Sequence, residues 1–126
     1  MAASKIPSRF LDLPPGGGLS KVTVTGTSQA LAVNSNYSMN NAALVTGTLP
    51  ATAAVGDRII IGGMGAGGWK IAQNASQIIH FVDTDTTTGT GGYLQSNARY
   101  DVVELECIVA NSEWRVNSVV GNITIV

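Results

Sequence analysis

Eight acidic residues, one histidine and one cysteine supply most of the groups in this 126-residue chain that could move protons, attack a substrate or hold a metal. His80 is the obvious place to begin. It lies in Gln77–Val82 and alternates out of phase with Ile79 and Phe81, so it reads as a half-exposed histidine on a strand. Any Ser/His/Asp triad would have to use it, yet no Gly-x-Ser-x-Gly elbow accompanies it. In a symmetric trimer its copies could meet near an axis and sense pH. Cys107 sits in an apolar run and reads as a buried, inert thiol. One cysteine allows no intrachain disulfide, and one Cys with one distant His cannot close a tetrahedral zinc site.

The carboxylates offer little more. Asp83-Thr84-Asp85 presents two acids at alternating positions, but lacks the further ligands and bidentate Glu of a calcium loop. Glu104 and Glu106 share one face of a strand, where solvated charges that discourage edge pairing are the expected reading rather than a glycosidase pair. The run Gly62-Gly63-Met64-Gly65-Ala66-Gly67-Gly68 is followed by alternating Trp69-Lys70-Ile71 and by no helix. It therefore predicts a hairpin or bulge where backbones pass closely, not a phosphate cradle. No cofactor or metal site is expected, and catalysis is not the expected role. The residues assigned to ligand contact are Tyr93, Met64, Asp83, Asp85 and Thr87, on or beside the loops 62–68 and 83–92. Trp69 and Trp114 keep phase with Ile71 and Val116 and are expected in the core.

The elements that carry these residues read as β throughout. Charged residues make up only 12% of the chain, and the polar balance falls on Thr, Ser, Asn and Gly. That composition suits strands and turns, not helices with charged outer faces. Val22/Val24, Leu31/Val33, 42–49, 57–61, 69–73, 77–82, 100–110, 113–120 and 123–126 are the strand candidates. They predict an all-β, antiparallel β-sandwich of about nine strands, jelly-roll-like. Residues 20–126 form that domain. Residues 1–19, broken by Pro7, Pro14, Pro15 and Gly16-Gly17-Gly18, form an attachment or linker segment whose Phe10, Leu11 and Leu13 could dock on a partner.

A net charge of −1 speaks against a nucleic-acid or anionic-membrane partner. No stretch is long and apolar enough to span a bilayer, and no secretory signal opens the chain. Low charge also repels sister copies weakly, and the apolar Ile123–Val126 strand asks for cover.

Thr48-Leu49-Pro50-Ala51, Val55-Gly56-Asp57-Arg58-Ile59 and Gly67-Gly68-Trp69-Lys70-Ile71-Ala72-Gln73-Asn74 resemble a module of bacteriophage tail-fibre and related fibre-like proteins. Tyr100-Asp101-Val102-Val103-Glu104-Leu105 and Glu113-Trp114-Arg115-Val116 match its later part, so the resemblance covers about residues 40–126. It implies a β-rich homotrimer at the tip or along an adhesive fibre, with no cofactor and no enzymatic site. The expected role is a receptor-binding module recognising a cell-surface glycan or protein, on a virion or extracellular. The alternatives are a structural virion component, such as a capsid decoration or baseplate accessory protein, and a free lectin.

Overall fold

A computed structural model describes residues 18–126, all of it strands and their connections with no helix. Phe10, Leu11 and Leu13 lie outside the described residues. Twelve strands are present: β1 (Ser20–Val24), β2 (Ser28–Ala30), β3 (Ser35–Met39), β4 (Val45–Thr48), β5 (Arg58–Gly63), β6 (Trp69–Ala72), β7 (Ile78–Phe81), β8 (Thr84–Asp85), β9 (Tyr93–Ser96), β10 (Val102–Val109), β11 (Glu113–Val120) and β12 (Ile123–Ile125).

They form two sheets. One has the order β1-β3-β5-β10-β11-β7-β8 and the other β12-β9-β6-β4-β2. From β1 to β6 successive strands alternate between the sheets, so this part of the chain winds as a coil of three turns. Each turn lies parallel on the next. Ser20 pairs Ser35 and Ser35 pairs Ile59 in one sheet; Ser28 pairs Thr46 and Thr46 pairs Lys70 in the other. The remaining strands complete the sheets by mainly antiparallel pairing, led by the long β10–β11 hairpin.

The expected all-β class stands, but the expected antiparallel jelly-roll and strand count do not. Five of the ten pairings are parallel. Local alternation reports which face a residue takes and says nothing about the direction of its neighbour.

Inward positions build one apolar core between the sheets, including Met39, Ile59, Ile61, Trp69, Ile71, Ile79, Leu94, Val103, Leu105, Cys107 and Trp114, all fully buried. β10 carries the cleanest alternation, with Val103, Leu105 and Cys107 inward. Both tryptophans are in the core as expected. Trp69 Nε1 donates to the Asp101 carbonyl at 2.9 Å, whereas Trp114 Nε1 is buried with no partner among the described residues.

The glycine run 62–68 is not a hairpin. It is an arch that carries the chain from β5 in one sheet to β6 in the other. Its glycines mark close backbone passage, as the sequence implied. A Cβ on Gly63 would strike the Arg99 carbonyl, and one on Gly67 the Ala43 carbonyl.

Candidate functional site

The concave surface lies where the two sheets open at one edge. β11 pairs with β7 only along Glu113–Arg115, and it continues to Val120 after β7 ends at Phe81. There the chain turns sharply through Val82 (φ 57°) into β8, which returns only as far as Asp85. In the facing sheet, β12 is the edge strand. The result is an open groove of about 470 Å³ lined by Phe81, Val82, Asp83, Thr84, Val119, Gly121, Asn122, Ile123 and Ile125.

Each wall follows from strand phase. Phe81 shares the inward face with Ile79 but reaches past the last strand that could cover it, so it stays partly buried. Val119 pairs with buried Val103 and therefore faces inward, yet it remains 39% exposed because no strand of the facing sheet covers it. A bulge at Asn117 lies just before this stretch and restores that phase. Ile123 and Ile125 come from β12, and the turn before it uses Gly121 at φ 109°. A Cβ there would meet the Asp101 carboxylate, so glycine is required on both counts.

On the outer face, beside the groove, His80 bridges three strands. Its Nδ1 lies 2.7 Å from Asp85 Oδ1 on β8, and its Nε2 lies 2.9 Å from Glu113 Oε1 on β11. These two hydrogen bonds hold the imidazole pKa above its ordinary value, against a smaller opposing effect of burial. The two carboxylates sit on opposite ring nitrogens, so they cannot converge on one ion. No group of three His, Cys, Asp or Glu side chains among the described residues is arranged to hold a metal. With both nitrogens engaged, His80 acts as a clasp for the short β8 strand.

Further along the same face, Arg58 pairs Glu104 at 2.9 Å and Arg115 pairs Glu106 at 3.2 Å. The Asn117 amide, first, and Arg115 hold the Glu106 carboxyl below its usual range. Glu104 and Glu106 thus do not guard an edge. β10 is an interior strand between β5 and β11, and its carboxylates meet arginines on both neighbours. Burial pushes the Cys107 thiol up, which keeps it protonated.

The five expected ligand residues do not form one cluster. Asp83 lines the groove. Asp85 adjoins it but is committed to His80. Thr87 donates its backbone N–H to the Val126 carbonyl at 3.1 Å. Tyr93 lies on the outer side of the other sheet, opposite in phase to buried Leu94, with the Lys70 ammonium 4.1 Å from its ring centre. Met64 belongs to the arch, where its carbonyl accepts Arg99 Nε at 3.0 Å beside the exposed Tyr100 ring.

Phe81, Val119, Asn122, Ile123 and Ile125 were invisible as site residues. Each reads as ordinary strand or turn, and only the early end of β7 uncovers them. The buried amides of Gln73 and Gln77 were also missed. Gln73 Nε2 reaches the carbonyls of Gln77, Thr87 and Gly89, and Gln77 Nε2 those of Pro50 and Asn111. Gln73 thus gives the Thr/Gly-rich loop 83–92 a fixed inner frame, and Gln77 ties the turns at Pro50 and Asn111. No known protein family matches the chain, and no curated protein is significantly similar to it.

Proposed function

We propose that this chain is a non-catalytic attachment module of a phage or phage-like fibre, working as a homo-oligomer and recognising a cell-surface glycan or protein. The observation that carries the reading is the groove. It places an aliphatic and aromatic wall (Phe81, Val119, Ile123, Ile125) against a short polar rim (Asp83, Thr84, Asn122) at the open edge of both sheets. Such a surface suits an extended ligand held by apolar contact and a few directed hydrogen bonds. The one imidazole nearby is occupied on both nitrogens, which favours holding over turnover. Linked copies would turn several weak sites into one firm attachment.

The second reading, a structural component of the particle, draws support from the edges. β1, β8, β2 and β12 all end their sheets, and edge strands invite pairing with another chain.

Fluorescently labelled full-length protein, applied to a panel of candidate host cells, tests the first reading. Asp83→Ala combined with Asn122→Ala is expected to cut cell binding at least tenfold without moving the melting temperature. Undiminished binding by that variant would remove the groove from recognition. Failure of the parent protein to bind any cell while it still enters particles would favour the structural role.

A further inference from the structure

We infer that His80 is a proton-operated clasp: its charged ring pins β8 to β11 and fixes the groove rim at 82–84, and its neutral ring lets that rim go. That the rim matters for capture rests on the reading of the groove as a recognition site; the clasp itself does not.

The first support is the placing of the ring. A neutral imidazole carries one N–H and one bare lone pair. His80 meets a carboxylate oxygen at each nitrogen, Asp85 at 2.7 Å and Glu113 at 2.9 Å. Both contacts are hydrogen bonds only when both nitrogens are protonated. Loss of the proton turns one of them into a lone pair facing a carboxylate, so one contact must open. The two ends are not equally held. Glu113 begins β11, an eight-residue strand, and is paired there on both sides. Asp85 ends β8, a two-residue strand at the sheet edge. Asp85 is therefore the side that leaves.

The second support is how little else holds the segment. Val82, Asp83, Thr84 and Asp85 are all exposed, and the contact with His80 is their one side-chain hydrogen bond among the described residues. The far end is anchored. Buried Thr86 donates its backbone N–H to the Ile79 carbonyl at 3.0 Å and its hydroxyl to Gln73. At the near end Val82 takes φ 57° at the first position of a two-residue hairpin turn, where glycine is the usual occupant. A β-branched residue there is strained, and the strain relaxes once β8 is unpinned. Val82, Asp83 and Thr84 line the groove, so movement of this segment reshapes its mouth.

The third support is that no other cation takes over. Arg115, the register partner of His80, is turned to Glu106 at 3.2 Å and to Asn117 at 3.0 Å. The remaining titratable groups on β8, on β11 and in the turn before β8 are Asp85, Glu113 and Asp83, all acidic. The hydrogen bonds to Asp85 and then Glu113 hold the imidazole pKa above its ordinary 6.5. The clasp is therefore closed in mildly acidic buffer and opens as pH rises through the folded value.

The chain has one histidine, so its ring protons report their own titration directly. Nuclear magnetic resonance of the full-length protein from about pH 5.5 to about 8.5 follows the ring across its range. Amide protection factors, which remove the intrinsic pH dependence of exchange, follow the rim. Protection across 83–86 is expected to fall by up to about fivefold with the same midpoint as the ring, a limit set by solvent screening. His80→Gln is expected to show the low value throughout. Asp85→Asn should keep the rim protected and lose the pH dependence, because an amide donates to a neutral Nδ1 and accepts from a protonated one. A rim indifferent to the ring's titration, or an Asp85→Asn rim that follows pH as the parent does, overturns the clasp. Cell attachment over the same range separates the two readings. Attachment that weakens in step with the rim supports both. A rim that follows the ring while attachment stays constant keeps the clasp and removes the rim from recognition. Attachment with an indifferent rim removes the clasp and leaves recognition standing.

Discussion

The two halves of this sandwich are held by different means. In the coil, β1 to β6, parallel strands stack in register, and order comes from the backbone ladder, the apolar interior and glycine arches that let chains touch. In the other half, β7 to β12, strands end at unequal lengths, and side chains do the tying. Gln73 holds the 83–92 loop from within, Gln77 ties the turns at Pro50 and Asn111, and His80 holds β8 from outside. A regular ladder leaves no concavity. The groove appears where β7 stops short of β11, so it belongs to the irregular half.

That contrast is broken most severely at the arch. Gly63→Ala puts a methyl group into the Arg99 carbonyl, a backbone atom that cannot swing aside. We expect a loss of about 3–4 kcal/mol, a large share of the stability of a domain this size. Urea denaturation would measure it. Gly26, whose added Cβ meets nothing within 4 Å, provides the control: Gly26→Ala should be nearly neutral. Equal effects at both positions would mean that close backbone passage is not what the arch glycines provide.

The irregular half should fail differently. Gln73→Leu takes the amide donor from three carbonyl oxygens and the acceptor from the Thr86 hydroxyl; the Gln77 and Gly89 carbonyls keep the Gly89 and Gly92 backbone N–H groups. We expect about 1–3 kcal/mol of destabilisation, since the Thr87 carbonyl and the Thr86 hydroxyl would lose their partner. Amide exchange should accelerate across 86–92 and remain slow in the coil. Uniform acceleration in both halves would contradict the division drawn here.

Sequence pattern reveals these halves unequally. Strands with aliphatic inward positions were legible: β6, β10 and β11 fall within the predicted ranges, and β5 starts within its range and runs two residues past the predicted end at Ile61. β3 was not, because its inward residues are Ser35, Tyr37 and Met39, a mixture with no aliphatic rhythm. β9 has one buried residue, Leu94, and β8 has none. Parallel pairing was hidden for another reason: Ser20 and Ile59 reach the same sheet through register, which no short window contains. Of the site, only Asp83 and its neighbour Asp85 were legible, through the polar loop that carries them. The role of His80 depends on Glu113, which is distant in sequence and adjacent only because β7 lies parallel to β11.

The smallest effect sharpens the comparison most, because it carries a sign. The two carboxylates favour protonated His80 in the folded protein, so its folded pKa lies above the unfolded value of about 6.5. Stabilisation by the clasp is therefore complete below pH 6.5 while Asp85 and Glu113 remain ionised, and it fades as pH rises through the folded pKa. Arg115, the register partner of His80, and Asp83, beyond the β7–β8 turn, are the other charged groups near it on these strands. All three clasp side chains are partly exposed, so solvent screening limits the contribution to about 1 kcal/mol or less. His80→Gln should thus be less stable than the parent at pH 5.5–6, by that amount, and the gap should close in mildly alkaline buffer. Denaturation midpoints across this range give the difference directly. The gap should coincide with faster amide exchange at β8 and the groove rim but not in the coil. A gap that widened with pH would mean that His80 stabilises the fold as a neutral ring, and the clasp as an ion pair would be lost.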